Sequence, residues 1–131
     1  IGNTGILVSK VIYIKDSGRK KFIILDAAMN DLMRPALYGA FHKTLPVIKS
    51  TKISKKIYEF VGPICESTDK FVTQKRFQKL EEGDLIVICD VGAYGMSLSS
   101  NYNLRPKVIE LLVKGSKIKI IRKRQKHKEL I

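Results

Sequence analysis

Apolar and polar positions divide the chain into short strand-like runs separated by turn-forming residues. "GILVSKVIYIK", residues 5–15, is dense in Val, Ile and Tyr and predicts a long strand. "DSGRK" follows, with Asp16, Ser17 and Gly18 as a turn, and "KFIILDAA" predicts the return strand of a hairpin. "MNDLMRPALYGAFHK" is irregular. Pro35 disfavours helical geometry at the residue before it, which predicts an extended or turn conformation at Arg34. "LPVIKSTKI" and "KKIYEFVGPI" are further strand candidates; in the second, Ile57, Glu59 and Val61 fall on one face and Tyr58 and Phe60 on the other. "KFVTQKRFQKL" is read as a helical turn or a loop, and "EEGD" as a turn. "DLIVICDVG" is almost wholly apolar and predicts a strand buried on both sides. "GAYGMSLSSNYNLRP" reads as a loop with room for one helical turn. "KVIELLV", "KGS" and "KIKIIRKR" make a second hairpin, in which Lys117 and Lys119 alternate with Ile118 and Ile120 as on a half-buried strand. "KHKELI" closes the chain as a short helix.

Six to eight strands with short helical turns define an all-β class, a Greek-key-like β-barrel or sandwich. The chain of 131 residues holds no repeat and no dividing linker, so residues 1–131 are expected to form one domain with a real core. No apolar run approaches the roughly 20 residues that span a bilayer, so no membrane association is expected. No secretory leader opens the sequence, and Ile1 in place of methionine suggests an excised or incomplete piece. Cys65, Cys89, His42 and His127 show no metal-ligand spacing, and two cysteines fit a reduced, cytoplasmic protein without a structural disulfide.

The formal charge of +13 raises a nucleic-acid reading. Of the 25 basic residues, however, 19 are lysine and 6 arginine, and arginine is the preferred reader of bases and phosphates. The densest cluster, Lys114 to Lys128, fits a lysine-rich composition with solvated faces, which argues against a nucleic-acid partner. A basic β-barrel that binds nucleic acid stays as the alternative with charge as its sole support.

The polar loops hold the candidate chemistry. One carries Arg34 and Tyr38, a second Cys65 and Glu66, a third Tyr94, Ser97, Asn101, Tyr102 and Asn103. Loops on a rigid β scaffold are where sites are built. An arginine clamps a carboxylate bidentately, a glutamate receives an ammonium, and a thiol moves a proton. These types suit an amino-acid substrate. They equally fit a surface arginine, aromatics with wet hydroxyls and an inert thiol, and residue types alone favour that plainer assignment.

Three motifs in fixed order shift the balance: "MNDLMRPALYGAFH", "GPICESTD" and "DVGAYGMSLSSNYNLRP". Together they closely resemble the C-terminal domain of the diaminopimelate decarboxylase family, one of the pyridoxal-phosphate decarboxylases that join a β domain to a cofactor-binding TIM-type barrel. The resemblance covers essentially the whole chain. Related ornithine and arginine decarboxylases usually carry aspartate after the cysteine, where this chain has Glu66. The resemblance implies conversion of meso-diaminopimelate to L-lysine and carbon dioxide, with pyridoxal 5'-phosphate as cofactor. It implies Cys65 as proton donor, Glu66 on the far amino group, Arg34 and Tyr38 on the far carboxylate, and Tyr94 lining the cofactor and substrate pocket. It also implies a homodimer in the complete enzyme, with the cysteine–glutamate loop reaching into the partner's site.

Asp69 is expected to order the loop, His42 to be a satisfied structural histidine, and Cys89 plain core. Ser97, Asn101 and Asn103 are expected to organise the loop that carries Tyr94. Val91 and Leu98 stand where Ala and Met are commoner. The cofactor-binding barrel, with its lysine, phosphate loop and pyridine-pairing acid, is absent from these residues, so the domain alone is expected to be inactive. A remnant or split-gene fragment is the other alternative.

Overall fold

A computed structural model describes residues 1–131. The first predicted hairpin is present as β1 (Leu7–Ser17) and β2 (Lys20–Leu25), paired antiparallel with a bulge between Val11 and Tyr13. The chain continues through helix α1 (Arg34–Tyr38), β3 (Thr44–Pro46), β4 (Ile57–Val61), β5 (Lys70–Gln74) and β6 (Leu85–Ile88). These strands form one six-stranded sheet in the order β3-β6-β1-β2-β4-β5, in which only β2 and β4 run parallel. β7 (Glu110–Lys114) and β8 (Lys117–Arg122) form a separate hairpin. The sheet curls until the chain beyond its two edge strands meets. An isolated bridge joins Ile53 to Gln78, with Ser54 N–H donating to Phe77 O at 2.8 Å and Lys79 N–H to Lys52 O at 2.7 Å. The expected all-β, barrel-like class is therefore the one observed.

The concave face holds the core. Val11, Ile23, Leu25, Phe60, Ile86 and Ile88 are fully buried, and Tyr58, Phe71, Phe77 and Leu80 close around them. Phe60 and Phe77 meet edge to face at 5.1 Å, the geometry that aromatic quadrupoles favour. Tyr58 keeps its hydroxyl satisfied inside this core by accepting from Leu80 N–H at 3.3 Å. On the opposite face of β4, Glu59 is also buried, covered by ion pairs to Lys20 and Lys70.

Several expectations are corrected. Arg34 is the first residue of α1, not extended. Pro35 sits in the first turn, where a missing N–H costs nothing, and the turn closes through Leu37 N–H to Met33 O at 2.9 Å. "KFVTQ" is strand β5, not a helical turn; an irregularity in the β4–β5 ladder leaves consecutive Phe71 and Val72 both buried and hides the period of two. "LPVIKSTKI" is regular only around β3. β6 is buried on one face alone, with Ile86 and Ile88 inward and Leu85 exposed, and Cys89 beyond it is partly exposed. β8 is exposed along its length, because nothing in this chain packs on the Leu111, Val113, Ile118 and Ile120 face of the second hairpin.

Candidate functional site

Two polar ties, one buried and one partly exposed, bring the three motifs together. Asp69, at the end of "GPICESTD", is 3% exposed. Its Oδ2 accepts from Ile64 N–H at 2.8 Å, inside its own loop. Its Oδ1 accepts from Met29 N–H at 2.7 Å, at the start of "MNDLMRPALY". Burial pushes its carboxyl above the usual carboxylate range, and the two backbone donors oppose that shift. Gly62 is required beneath it: a Cβ there would lie 2.2 Å from Asp69 Oδ2. The expectation that Asp69 orders the loop holds.

The second tie is Arg105, in the third motif. Its Nε donates to Asn30 Oδ1 at 2.8 Å, a second guanidinium nitrogen donates to Asp26 O, and it lies 3.7 Å from Asp31 Oδ2. Asp31 is buried, which raises its carboxyl above the usual range, while Ala28 N–H and Arg105 draw it back. Asn30 donates to Ser100 O at 3.3 Å, and Ser100 N–H returns to Asn30 O at 3.0 Å. Sequence reading gave Arg105 no role. The one available signal was its place in "NYNLRP" as one of only 6 arginines.

On this frame the loop presents Cys65 exposed and Glu66 partly exposed. Glu66 accepts from Thr68 Oγ1 at 3.1 Å and from Tyr102 Oη at 3.4 Å. Arg34 and Tyr38 stand four residues apart on α1, hence on one helical face. Arg34 is partly exposed and Tyr38 is 66% exposed. The helix ends on Gly39 in the left-handed region (φ 62°), which suits glycine. Its Pro35, Ala36, Gly39 and Ala40 line a groove of about 260 Å³ with Ser67, Thr68, Lys70 and Phe71. The structure thus brings α1 against the cysteine loop. No hydrogen bond joins Arg34, Tyr38 or Tyr94 to Cys65 or Glu66.

Tyr94 is 67% exposed and held at φ 59°. A left-handed non-glycine residue costs energy, and such strain clusters at functional positions. Asn101, expected to organise this loop, donates to Arg105 O at 2.9 Å and Gln125 Oε1 at 2.7 Å. His42 is 1% exposed; Nδ1 bonds Cys89 O at 2.8 Å, but buried Nε2 has no partner, so the histidine is satisfied on one nitrogen only.

These residues fit one edge of a cofactor pocket. Tyr94 offers an exposed ring and hydroxyl, but none of the lysines is buried, and neither Tyr94 nor any arginine lines the groove beside α1. A cluster of cations lies elsewhere, at a cleft of about 460 Å³ lined by Lys107, Arg122, Lys123, Arg124 and Lys126 with Gln125 and Glu129; of these, Arg122 is paired with Glu110 at 3.0 Å. No helix is long and apolar enough to cross a membrane.

Residues 3–92 match the family model for the C-terminal sheet domain of pyridoxal-dependent decarboxylases. The chain is 46% identical to diaminopimelate decarboxylase of Zymomonas mobilis, over 100% of its own length and 31% of the relative's. It is 42% identical to the Aquifex aeolicus enzyme of that name, again over 100% and 31%. A crystal structure of diaminopimelate decarboxylase from Helicobacter pylori complexed with L-lysine superposes with TM-score 0.90 at 44% identity, covering 99% of this chain and 32% of that one. The chain therefore spans about a third of the length of the relatives it matches.

Proposed function

The chain belongs to the pyridoxal-dependent decarboxylases, as their C-terminal sheet domain, and we propose that it supplies the substrate-reading half of a diaminopimelate decarboxylase site. The reaction is conversion of meso-diaminopimelate to L-lysine and carbon dioxide. Residues 1–131 act as one β domain, and a TIM-type barrel holds the cofactor. Pyridoxal 5'-phosphate, when bound, supplies the electron sink for the carbanion left by loss of carbon dioxide.

The residues of this chain then divide the remaining work. Cys65 delivers the proton to the carbon that has lost its carboxylate; its exposed Sγ on a fixed loop suits reach into a neighbouring site. Glu66 pairs with the far ammonium of the substrate. Arg34 grips the far carboxylate with two N–H donors, and Tyr38, one helical turn on, adds a hydroxyl. Tyr94 closes the pocket over cofactor and substrate. Cys65, Tyr38 and Tyr94 are exposed in the single chain, which supports a site that the barrel and a second copy in a homodimer would complete.

The observation that carries this reading is the locking of all three motifs into one body by Asp69 and Arg105. Residues so far apart in sequence are held on one body, with Cys65, Tyr38 and Tyr94 exposed and Arg34 and Glu66 partly exposed. In a complete enzyme carrying this domain, Cys65→Ala is expected to lower kcat by about 100-fold or more, the scale of a lost general acid, with cofactor affinity changed less than about twofold. Parallel loss of cofactor binding and turnover would contradict the proton-donor role.

A further inference from the structure

We propose that Tyr102 is a positioning residue that fixes the Glu66 carboxylate for the far ammonium of the substrate, and so helps set substrate specificity. This rests on the role proposed above for Glu66. Glu66 has two side-chain partners: Thr68 Oγ1 at 3.1 Å holds Oε1, and Tyr102 Oη at 3.4 Å reaches Oε2 across 36 positions of sequence. Thr68 belongs to the same short loop and moves with it. Tyr102 is the only partner that refers Glu66 to a different part of the fold.

The backbone around Tyr102 is built to hold that reference. Asn103 and Leu104 are consecutive non-glycine residues in the left-handed region, at φ 56° and 54°. Such a pair persists only where its surroundings impose it. Here Asn101 donates to Arg105 O at 2.9 Å, closing the turn from beneath, and Gln125 Oε1 takes the other Asn101 proton at 2.7 Å. Tyr102 N–H donates to Ser100 Oγ at 3.3 Å. Arg105 anchors the far end to Asn30 and Asp26. The strained turn thus aims one phenol hydroxyl at the oxygen of Glu66 that Thr68 leaves free. With one donor on each oxygen the carboxylate's rotation is restrained, and as Glu66 is partly exposed it keeps acceptor capacity for an ammonium.

The test uses a complete decarboxylase carrying this domain, with Tyr102→Phe and Tyr102→Leu. Tyr102→Phe keeps the ring and removes the hydroxyl. It is expected to raise KM for meso-diaminopimelate about 3- to 10-fold, with kcat and the cofactor dissociation constant within twofold. The inhibition constant of 2-aminopimelate, which lacks the far amino group, is expected to stay unchanged. Tyr102→Leu is expected to give at least the same KM effect. An unchanged KM in Tyr102→Phe, or an equal rise for 2-aminopimelate, overturns the proposal. A fall in kcat together with cofactor affinity also overturns it, since that marks a merely structural tyrosine. If the unmodified enzyme makes no lysine from meso-diaminopimelate, the functional reading itself fails and this inference falls with it.

Discussion

Removing the Asp69 carboxylate is the sharpest perturbation of the frame that holds the candidate site. Asp69→Ala leaves Met29 N–H and Ile64 N–H without their acceptor in a place where Asp69 is 3% exposed. Hydrogen bonds to a charged acceptor contribute about 1.5–3 kcal/mol each, so two give about 3–6 kcal/mol. The buried carboxylate carries a desolvation cost of its own, visible in its raised pKa, which offsets part of this. A net loss of about 2–4 kcal/mol is expected, or roughly 8–16 °C in Tm for a domain of this size. Asp69→Asn keeps one acceptor oxygen but turns an NH₂ toward the other donor, and is expected to cost about 1–3 kcal/mol. Gly62→Ala places a methyl 2.2 Å from the same carboxylate and is expected to cost about 2 kcal/mol or more. The two changes share one contact. In an Asp69→Ala background the Gly62→Ala cost should fall by about 1 kcal/mol or more. Urea unfolding of the four proteins measures the cycle, and amide exchange at Met29 and Ile64 reports the two donors. Full additivity, or an Asp69→Ala protein within about 0.5 kcal/mol of the parent, would refute the reasoning.

The remaining predictions concern charge. Glu59 is held below its usual 4.5 mainly by Lys70, then Lys20, so its ion pairs contribute stability that is complete above that value and lost as pH falls through the lower folded pKa. Glu59→Gln should therefore cost about 1–2 kcal/mol at pH 7, with the gap closing in acid; a gap that widens below pH about 4.5 contradicts the sign. The cleft at Lys107 and Lys123–Lys126 is the place where a nucleic-acid role would act. A gel shift at physiological salt is expected to show no complex, and a salt-sensitive complex abolished by charge reversal there would revive that role.

Much of the fold was legible because it is local. The β1–β2 hairpin announces itself through an apolar run, a turn with Gly18 and a second apolar run. The alternation along β4 separates Tyr58 and Phe60 from Glu59, and the structure puts the two aromatics in the core; burial of Glu59 on the other face depends on lysines from β2 and β5. What escaped was non-local or context-dependent. Pro35 restricts the residue before it, yet its own place in a first helical turn lets Arg34 begin α1. The second hairpin has the period of a half-buried strand, yet burial requires a neighbour that this chain does not contain.

The candidate site shows the same division. Motif content named Cys65, Glu66, Arg34, Tyr38 and Tyr94, but not what holds them. Arg105 meets Asn30 across 75 positions, and Asp69 meets Met29 across 40, distances over which no periodicity speaks. Strain at Tyr94 and Leu104 was equally silent, because neither residue type favours the left-handed region; Asn103, of a type enriched there, was the one readable signal.

The measurement that bears most directly on the central claim is lysine formation from meso-diaminopimelate with saturating pyridoxal 5'-phosphate. It compares this chain alone with the same residues joined to a cofactor-loaded barrel of the family. The account predicts lysine and carbon dioxide from the joined protein and none above the enzyme-free rate from the chain alone. Turnover by the chain alone, or a folded, cofactor-loaded joined protein that makes no lysine, would contradict it.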